Sequence, residues 1–262
     1  MSLDFTRRSE RLELMDDLSL GGEDIRRTLT ELAFINRTLG GYRPSVAGIA
    51  ALVPRGADEL TLLDVGCGGG DVTRRLVTWA RANGVRAHVK AIDVSPAAVE
   101  YAREASRGYP EIVFELADVF ELPREVRCDI AHASLVFHHF PDGVAERALR
   151  RLFEISRLGV VINDLHRHPL AYHSIRHLSR WLSRSRLIRN DAPLSVLRSF
   201  VREDWSRLAS SAGLPPPEVR WRWAFRWQVV FRRESRAPHP EAPHPEELDE
   251  RPGEPGGVRG AE

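Results

Sequence analysis

The stretch Leu62-Leu63-Asp64-Val65-Gly66-Cys67-Gly68-Gly69-Gly70-Asp71 constrains this chain most, because an apolar strand runs straight into a glycine turn and then into a helix. A tight strand-to-helix turn needs backbone angles that a side chain forbids, and a missing Cβ lets main-chain amides approach a ligand closely. The spacing is Gly66-x-Gly68-x-Gly70, with Asp71 standing where the dinucleotide fingerprint has its third glycine. A glycine-rich surface turn shares this composition, so the weight falls on the residues C-terminal to it.

Those residues form a helix with Val72, Leu76 and Ala80 on one face, then a second strand-like run, Ala87 to Ile92, that ends in Asp93. An acid at the end of the second strand can accept both hydroxyls of a ribose, which is where a nucleoside sugar would lie.

Leu63-Asp64-Val65-Gly66-Cys67-Gly68, Ala91-Ile92-Asp93-Val94-Ser95, Leu116-Ala117-Asp118-Val119 and Cys128-Asp129-Ile130-Ala131-His132-Ala133-Ser134 resemble, in order and spacing, the first four motifs of class I S-adenosylmethionine (SAM) dependent methyltransferases. The resemblance spans residues 40–233 and is greatest to the small-molecule branch that includes the ubiquinone and menaquinone biosynthesis methyltransferases. It implies a Rossmann-like, seven-stranded, mostly parallel sheet with an antiparallel C-terminal strand. It also implies that the amides around Gly66, Cys67 and Gly68, with the carboxylate of Asp64, hold the methionine end of SAM. Asp93 would take the ribose, Asp118 the adenine amino group, Val94 and Val119 the two faces of the ring, and Ser134 would close the site beneath the sulfonium. Plainer roles exist: Asp118 suits a helix cap, and Val94 and Val119 suit an ordinary core.

At 262 residues and 42% hydrophobic content, the chain can bury one sizeable α/β core. Residues 234–262 cannot contribute to it: six prolines, and three arginines against eight acidic residues, read as a disordered acidic tail. That tail is five charges negative, so against a net charge of +1 for the whole chain the remainder carries +6. Lys90 is the only lysine, and the arginine bias alone implies no nucleic acid. Two cysteines, Cys67 and Cys128, give no disulfide framework and suit a reducing cytoplasm. Residues 1–20 are charged rather than signal-like, and no apolar run reaches membrane-spanning length.

Periodicity supplies the organisation. Ile25, Leu29, Leu32, Asn36 and Leu39 recur at helical spacing and stop at Gly40-Gly41, within N-terminal cap helices over residues 1–55. The SAM-binding domain is expected over 56–233. Strands near 60–65, 87–93, 111–116, 128–134 and 159–164 alternate with helices near 71–82, 96–107 and 143–156, which argues for a parallel sheet covered on both faces. Residues 166–213 are too long for one crossover and read as an inserted helical lid. Beyond Pro215-Pro216-Pro217, apolar residues alternate from Val219 to Phe231 at strand periodicity with no turn residue between them; the resemblance implies a terminal two-stranded hairpin here, with its bend placed near Trp223 to Phe225.

Methyl transfer from a sulfonium requires alignment, exclusion of water and, for an unionised acceptor, removal of a proton. For a phenol of pKa about 10, a base has about 4 kcal/mol of deprotonation to offset at neutral pH. Histidines at two strand exits are candidates: Phe137-His138-His139-Phe140 and Asp164-Leu165-His166-Arg167-His168. His138 and His166 are candidate bases, Asp164 can orient one of them or cap the lid, and His139 is expected to pack the cofactor loop. Phe137, Phe140, Trp181 and Tyr42 suggest an aromatic acceptor pocket. No metal is expected: His166, His168, His173 and His177 lack thiolate or carboxylate company, and Arg167 and Arg176 would repel a cation. Nine arginines against three acids between Arg167 and Arg207 fit a charged amphipathic lid, though also an anionic substrate or an RNA backbone. Ser134-Leu135-Val136-Phe137 lacks the Asn/Asp-Pro-Pro-aromatic signature of exocyclic base-amine methylation, so DNA adenine is not expected as acceptor.

The expectation is therefore a cytoplasmic, SAM-dependent methyltransferase of a small aromatic or quinone-like molecule, acting on a phenol or quinol oxygen. Alternatives are C-methylation of an activated ring, methylation of RNA or protein, and a non-catalytic SAM-binding partner protein.

Overall fold

The structure, a computed structural model, describes residues 3–18 and 20–233; the acidic segment 234–262 lies outside the described residues. Seven strands form one sheet: β1 (Glu59–Val65), β2 (Arg86–Asp93), β3 (Ile112–Leu116), β4 (Cys128–Ser134), β5 (Ser156–Leu165), β6 (Glu218–Arg222) and β7 (Arg226–Arg232). Their order is β3-β2-β1-β4-β5-β7-β6. β1, β2, β3, β4 and β5 pair in parallel, whereas β7 runs antiparallel to both β5 and β6. Arg222 pairs with Arg226, so the terminal hairpin bends over Trp223, Ala224 and Phe225, the place expected for the hairpin that the resemblance implies.

Eight helices are described: α1 (Gly22–Thr38), α2 (Arg43–Leu52), α3 (Asp71–Ala82), α4 (Pro96–Ala105), α5 (Asp142–Ile155), α6 (Pro169–Leu182), α7 (Arg186–Arg198) and α8 (Arg202–Ser211). Leu60, Leu62, Leu63 and Val65 of β1 are all buried, as expected of a central strand covered on both faces. One core lies between the sheet and α2, α3 and α4, built around Ile49, Leu76, Val77, Val89 and Val161. The other lies under α5 and α8, around Phe137, Leu149, Leu152, Trp205 and Phe231. α2 sits close on the sheet: a Cβ at Gly48 would come within 2.5 Å of the Val161 side chain. α4 starts on Ser95, whose hydroxyl accepts the Ala98 amide at 3.3 Å, with Pro96 in the first turn.

α8 belongs to this core and not to an insert, since Trp205 is fully buried among sheet residues. The insertion expected over 166–213 is therefore reduced to α6 and α7 and their connections. Residues 3–18 form an irregular strap with one 3-10 turn at Leu14–Asp16. The strap is tied down by the Ser9 amide on the Leu197 carbonyl and by the Leu14 and Met15 amides on Asp191 at 2.9 and 3.0 Å. Among the described residues, no helix is long and apolar enough to cross a membrane.

Candidate active site

The five parallel strands place every expected site residue at one edge, because the segments that leave β1, β2, β3, β4 and β5 all exit at their C-terminal ends. Gly66, Gly68 and Gly70 all have left-handed backbones, with φ of 65°, 51° and 70°. A Cβ on Gly66 would lie 2.3 Å from the Val136 side chain, so this turn accepts only glycine without rearrangement.

Asp93 closes the loop. Its Oδ2 accepts the Gly68 amide at 2.8 Å and its Oδ1 the Ser95 amide at 2.9 Å, which leaves a further lone pair on each oxygen for a hydroxyl donor. Burial pushes the Asp93 carboxyl up, and the two amides offset part of that rise. The Cys67 amide donates to the Ile92 carbonyl at 3.0 Å, so two amides of the turn are held by β2 and the strand exit. Burial beside Asp64 and Asp93 also raises the Cys67 thiol, which keeps it protonated and inert.

Asp64 does not face outward as expected. It is buried, its Oδ1 lies 2.8 Å from His132 Nδ1, and its Oδ2 accepts the Thr73 hydroxyl. His132 Nε2 reaches the Ser45 hydroxyl at 2.9 Å, and Asn163 Nδ2 bonds Ser45 at 2.9 Å and Ser134 at 3.2 Å. A buried polar chain thus ties the glycine loop to α2 and β5, and Asp64 anchors that chain instead of meeting the methionine end of a ligand. Ser134 is likewise engaged, though half-exposed at the strand exit.

The adenine side departs partly from expectation. Asp118 accepts the Phe120 amide on Oδ1 at 2.9 Å, a turn cap, and remains half-buried. Val94 is exposed, whereas Val119 is packed into the core with Leu122 and Phe137. Of the two valines, only Val94 presents a face to a ligand.

At the exit of β4, Leu135 adopts φ 59° and its amide donates to the Asn163 carbonyl at 2.8 Å, which turns the chain into the short 3-10 helix Phe137–His139. His138 is held twice by Asp164: Nδ1 lies 2.6 Å from Oδ1, and its backbone amide donates to Oδ2 at 3.2 Å. Burial alone would raise the Asp164 carboxyl, but the adjacent His138 imidazole overcomes it and holds the group below its ordinary value. His138 Nε2 is thereby aimed at Glu13 of the strap, 3.8 Å away. Beside it, His139 Nδ1 lies 2.6 Å from Asp16 Oδ1.

His166, the other candidate base, is not part of this group. Its ring packs on Trp227 and His168, with centroids 4.6 and 5.3 Å away, and its buried Nδ1 lacks a partner among the described residues. Burial, then the neighbouring His168 and Arg167, lowers its pKa to about 4, so it is a weak base that stays neutral. The expected aromatic pocket also dissolves: Phe137 is wholly buried in the core and Trp181 is 87% exposed on α6. Tyr42 donates its hydroxyl to the Ala33 carbonyl at 2.9 Å.

The strap and α7 supply residues that the sequence does not single out. Arg198 is buried and donates to the carbonyls of His138 (3.1 Å), His139 (2.6 Å) and Arg11 (2.8 Å) and to Asp16 (2.7 Å). Arg8 bonds the His138 and Phe140 carbonyls. Arg226, buried near Asp164 and Asp71, donates to Asn36 Oδ1 at 2.8 Å. These contacts join residues 59 to 190 positions apart, and no local motif announces them.

Residues 62–159 match the family model described as a methyltransferase domain. A curated relative, 27-O-demethylrifamycin SV methyltransferase of Amycolatopsis mediterranei (strain S699), is 37% identical over 100 residues, 36% of this chain and 34% of the relative. The matched part thus spans about a third of that protein's length. Among solved structures, human N-acetylserotonin methyltransferase in complex with SAM superposes with a TM-score of 0.56 at 19% identity, covering 79% of this chain and 55% of that one. A SAM-dependent methyltransferase from Aquifex aeolicus gives 0.56 at 18% identity, covering 79% and 97%. At these identities the two structures speak to the fold. Residues 62–159 thus match a methyltransferase domain, and the fold around them is one that SAM-dependent methyltransferases of known structure share.

Proposed function

We propose that the chain transfers the methyl group of SAM to a hydroxyl of a small phenolic or quinol-like acceptor, with His138 as the base and Asp164 as its orienting partner. The observation that carries this reading is the His138–Asp164 pair, buried at the exit of β4 two residues beyond Val136, which abuts Gly66, with Nδ1 held by Asp164 and Nε2 facing Glu13. The acceptor oxygen attacks the methyl carbon, the carbon–sulfur bond breaks to leave S-adenosylhomocysteine, and the hydroxyl proton passes to His138 Nε2. Asp164 fixes the tautomer that exposes Nε2 and stabilises the imidazolium that forms.

Cofactor contacts are assigned on the same footing: the Gly66–Gly68 turn to the methionine end, Asp93 to the ribose, Asp118 and Val94 to adenine, and Ser134 to the floor beneath the sulfonium. An oxygen acceptor is favoured by the presence of an oriented base, and the Amycolatopsis relative is by its name an O-methyltransferase. Glu13 stands where the acceptor hydroxyl must approach His138, so the strap has to shift for turnover. The strap and α7 then serve as the cover that excludes water, and two free, buried cysteines fit a reducing cytoplasm.

The test is release of S-adenosylhomocysteine with a panel of phenols and quinols. His138→Ala should lower kcat by about 10²- to 10⁴-fold at pH 7 and leave SAM affinity within a few-fold of wild type. Undiminished turnover by this variant between pH 6 and 9 contradicts the assignment, and a product methylated on carbon would redirect it to ring chemistry.

A further inference from the structure

The two histidines after β4 lie side by side, with ring centroids 4.3 Å apart. Each places Nδ1 against a carboxylate, His138 on Asp164 and His139 on Asp16, both at 2.6 Å. Both Nε2 atoms therefore turn the same way, towards Glu13: His138 Nε2 is 3.8 Å from Oε1 and His139 Nε2 is 4.0 Å from Oε2. Glu13 is 5% exposed; its Oε2 accepts the Ser195 hydroxyl at 2.8 Å, and its buried Oε1 has no hydrogen-bond partner among the described residues. The Arg198 guanidinium, 3.7 Å from that oxygen, is too far to hydrogen-bond it, so the hydrogen-bonding capacity of Oε1 is unfilled.

We propose that Glu13, His138 and His139 bind a divalent transition-metal ion of the zinc, cobalt or iron(II) class, which bridges the N-terminal strap to the exit of β4. The three ligand atoms all lie within 4.8 Å of one another. Metal–nitrogen and metal–oxygen bonds of about 2.0–2.2 Å set ligand atoms about 3–3.5 Å apart, so each ligand atom has to move inwards by less than about 1 Å. Two imidazoles and one carboxylate are a donor set that such ions share, and it leaves positions open for water. The supporting partners are already in place, because a carboxylate on each Nδ1 is what orients metal-binding histidines. Charge agrees: Glu13, Asp16 and Asp164 surround the position against Arg198, whose Nε is 3.7 Å from Glu13 and which Asp16 pairs at 2.7 Å. The four histidines that draw attention in the sequence, His166, His168, His173 and His177, form no such group among the described residues.

The site does not depend on methyl transfer; where that reading holds, the ion occupies the nitrogen assigned as base, so the metal-bound chain is the resting form and the ion leaves before turnover. The test titrates the metal-free full chain with Zn²⁺ by calorimetry and with Co²⁺ by visible absorption, without SAM or acceptor. One ion per chain is expected, with affinity reduced at least tenfold in Glu13→Gln and in His139→Gln and unchanged in the His173→Ala/His177→Ala double variant. Zn²⁺ should also slow amide exchange of residues 3–18 in the wild type but not in Glu13→Gln. Far-UV circular dichroism with retained SAM binding certifies that the variants fold. Several weak ions per chain, wild-type affinity in Glu13→Gln and His139→Gln, or a loss that follows His173 and His177 overturns the site. Loss of SAM binding with zinc binding intact would instead overturn the methyltransferase reading.

Discussion

Gly66 is the residue on which the loop after β1 turns, and the reason is visible in two independent numbers: a φ of 65° and a hypothetical Cβ 2.3 Å from Val136. Gly66→Ala should therefore cost roughly 2 kcal/mol of stability, about half from the left-handed backbone and the rest from the displaced valine. Urea unfolding measures it, and a loss under about 0.5 kcal/mol would mean that the loop relaxes freely. The glycine turn was legible in the sequence because a strand running straight into a helix demands left-handed angles there, although Val136, which closes on Gly66, and Asp93, which holds the Gly68 amide, come from other elements. Asp64 was not: its partners His132 and Thr73 come from β4 and α3, and nothing local distinguishes a carboxylate facing a ligand from one facing an imidazole. His166 illustrates the same limit, since only the packed structure reveals that Trp227 lies against its ring.

Among elements, the strap over residues 3–18 lies against the exit of β4, and its docking in the metal-free chain should depend on pH through Glu13 and Asp16. Glu13 is raised by burial from 4.5 to about 7, so the docked strap holds a proton that the released strap gives up. That contribution is full below 4.5 and is lost as pH rises through about 7, amounting to ~3 kcal/mol at most. Asp16 works in the other sense. Burial raises it, but His139 and Arg198 overcome this and hold it near 2 against an ordinary 3.8, so its contribution is present above 3.8 and lost as pH falls towards 2. Docking should be tightest between these windows. Hydrogen exchange of residues 3–18, corrected for intrinsic rates, should show protection falling between about pH 5.5 and 8.5 and a flatter profile in Glu13→Gln. Equal protection at both values contradicts this coupling. The strap was invisible in the sequence because it has no periodicity: its hold comes from backbone groups meeting Asp191, Arg198 and Leu197. α1, α3, α5 and the central strands β1 and β4 were visible because each buries one regular face or both. α7 was harder to read, since it is buried on several sides and carries Pro193 inside.

At the scale of the whole molecule, the sheet order β3-β2-β1-β4-β5-β7-β6 reverses direction between β1 and β4, and ligands of open α/β sheets bind at such a switch point. Each feature of the candidate site lies on that edge: the glycine turn after β1, Asp93 at the end of β2, Asp118 after β3, His138 after β4 and Asp164 on β5. The lid expected over 166–213 is longer than the insertion found, because helical periodicity does not separate a crossover helix such as α8 from an insertion; the burial of Trp205 does. If this edge holds the nucleoside of SAM between the glycine turn and Asp93, calorimetric titration of the full chain with SAM shows it without intermediary. One molecule should bind per chain, with at least a tenfold weakening in Asp93→Ala, about 1.4 kcal/mol. Unchanged affinity in that variant, or a site that takes up NAD and ignores SAM, would contradict the assignment.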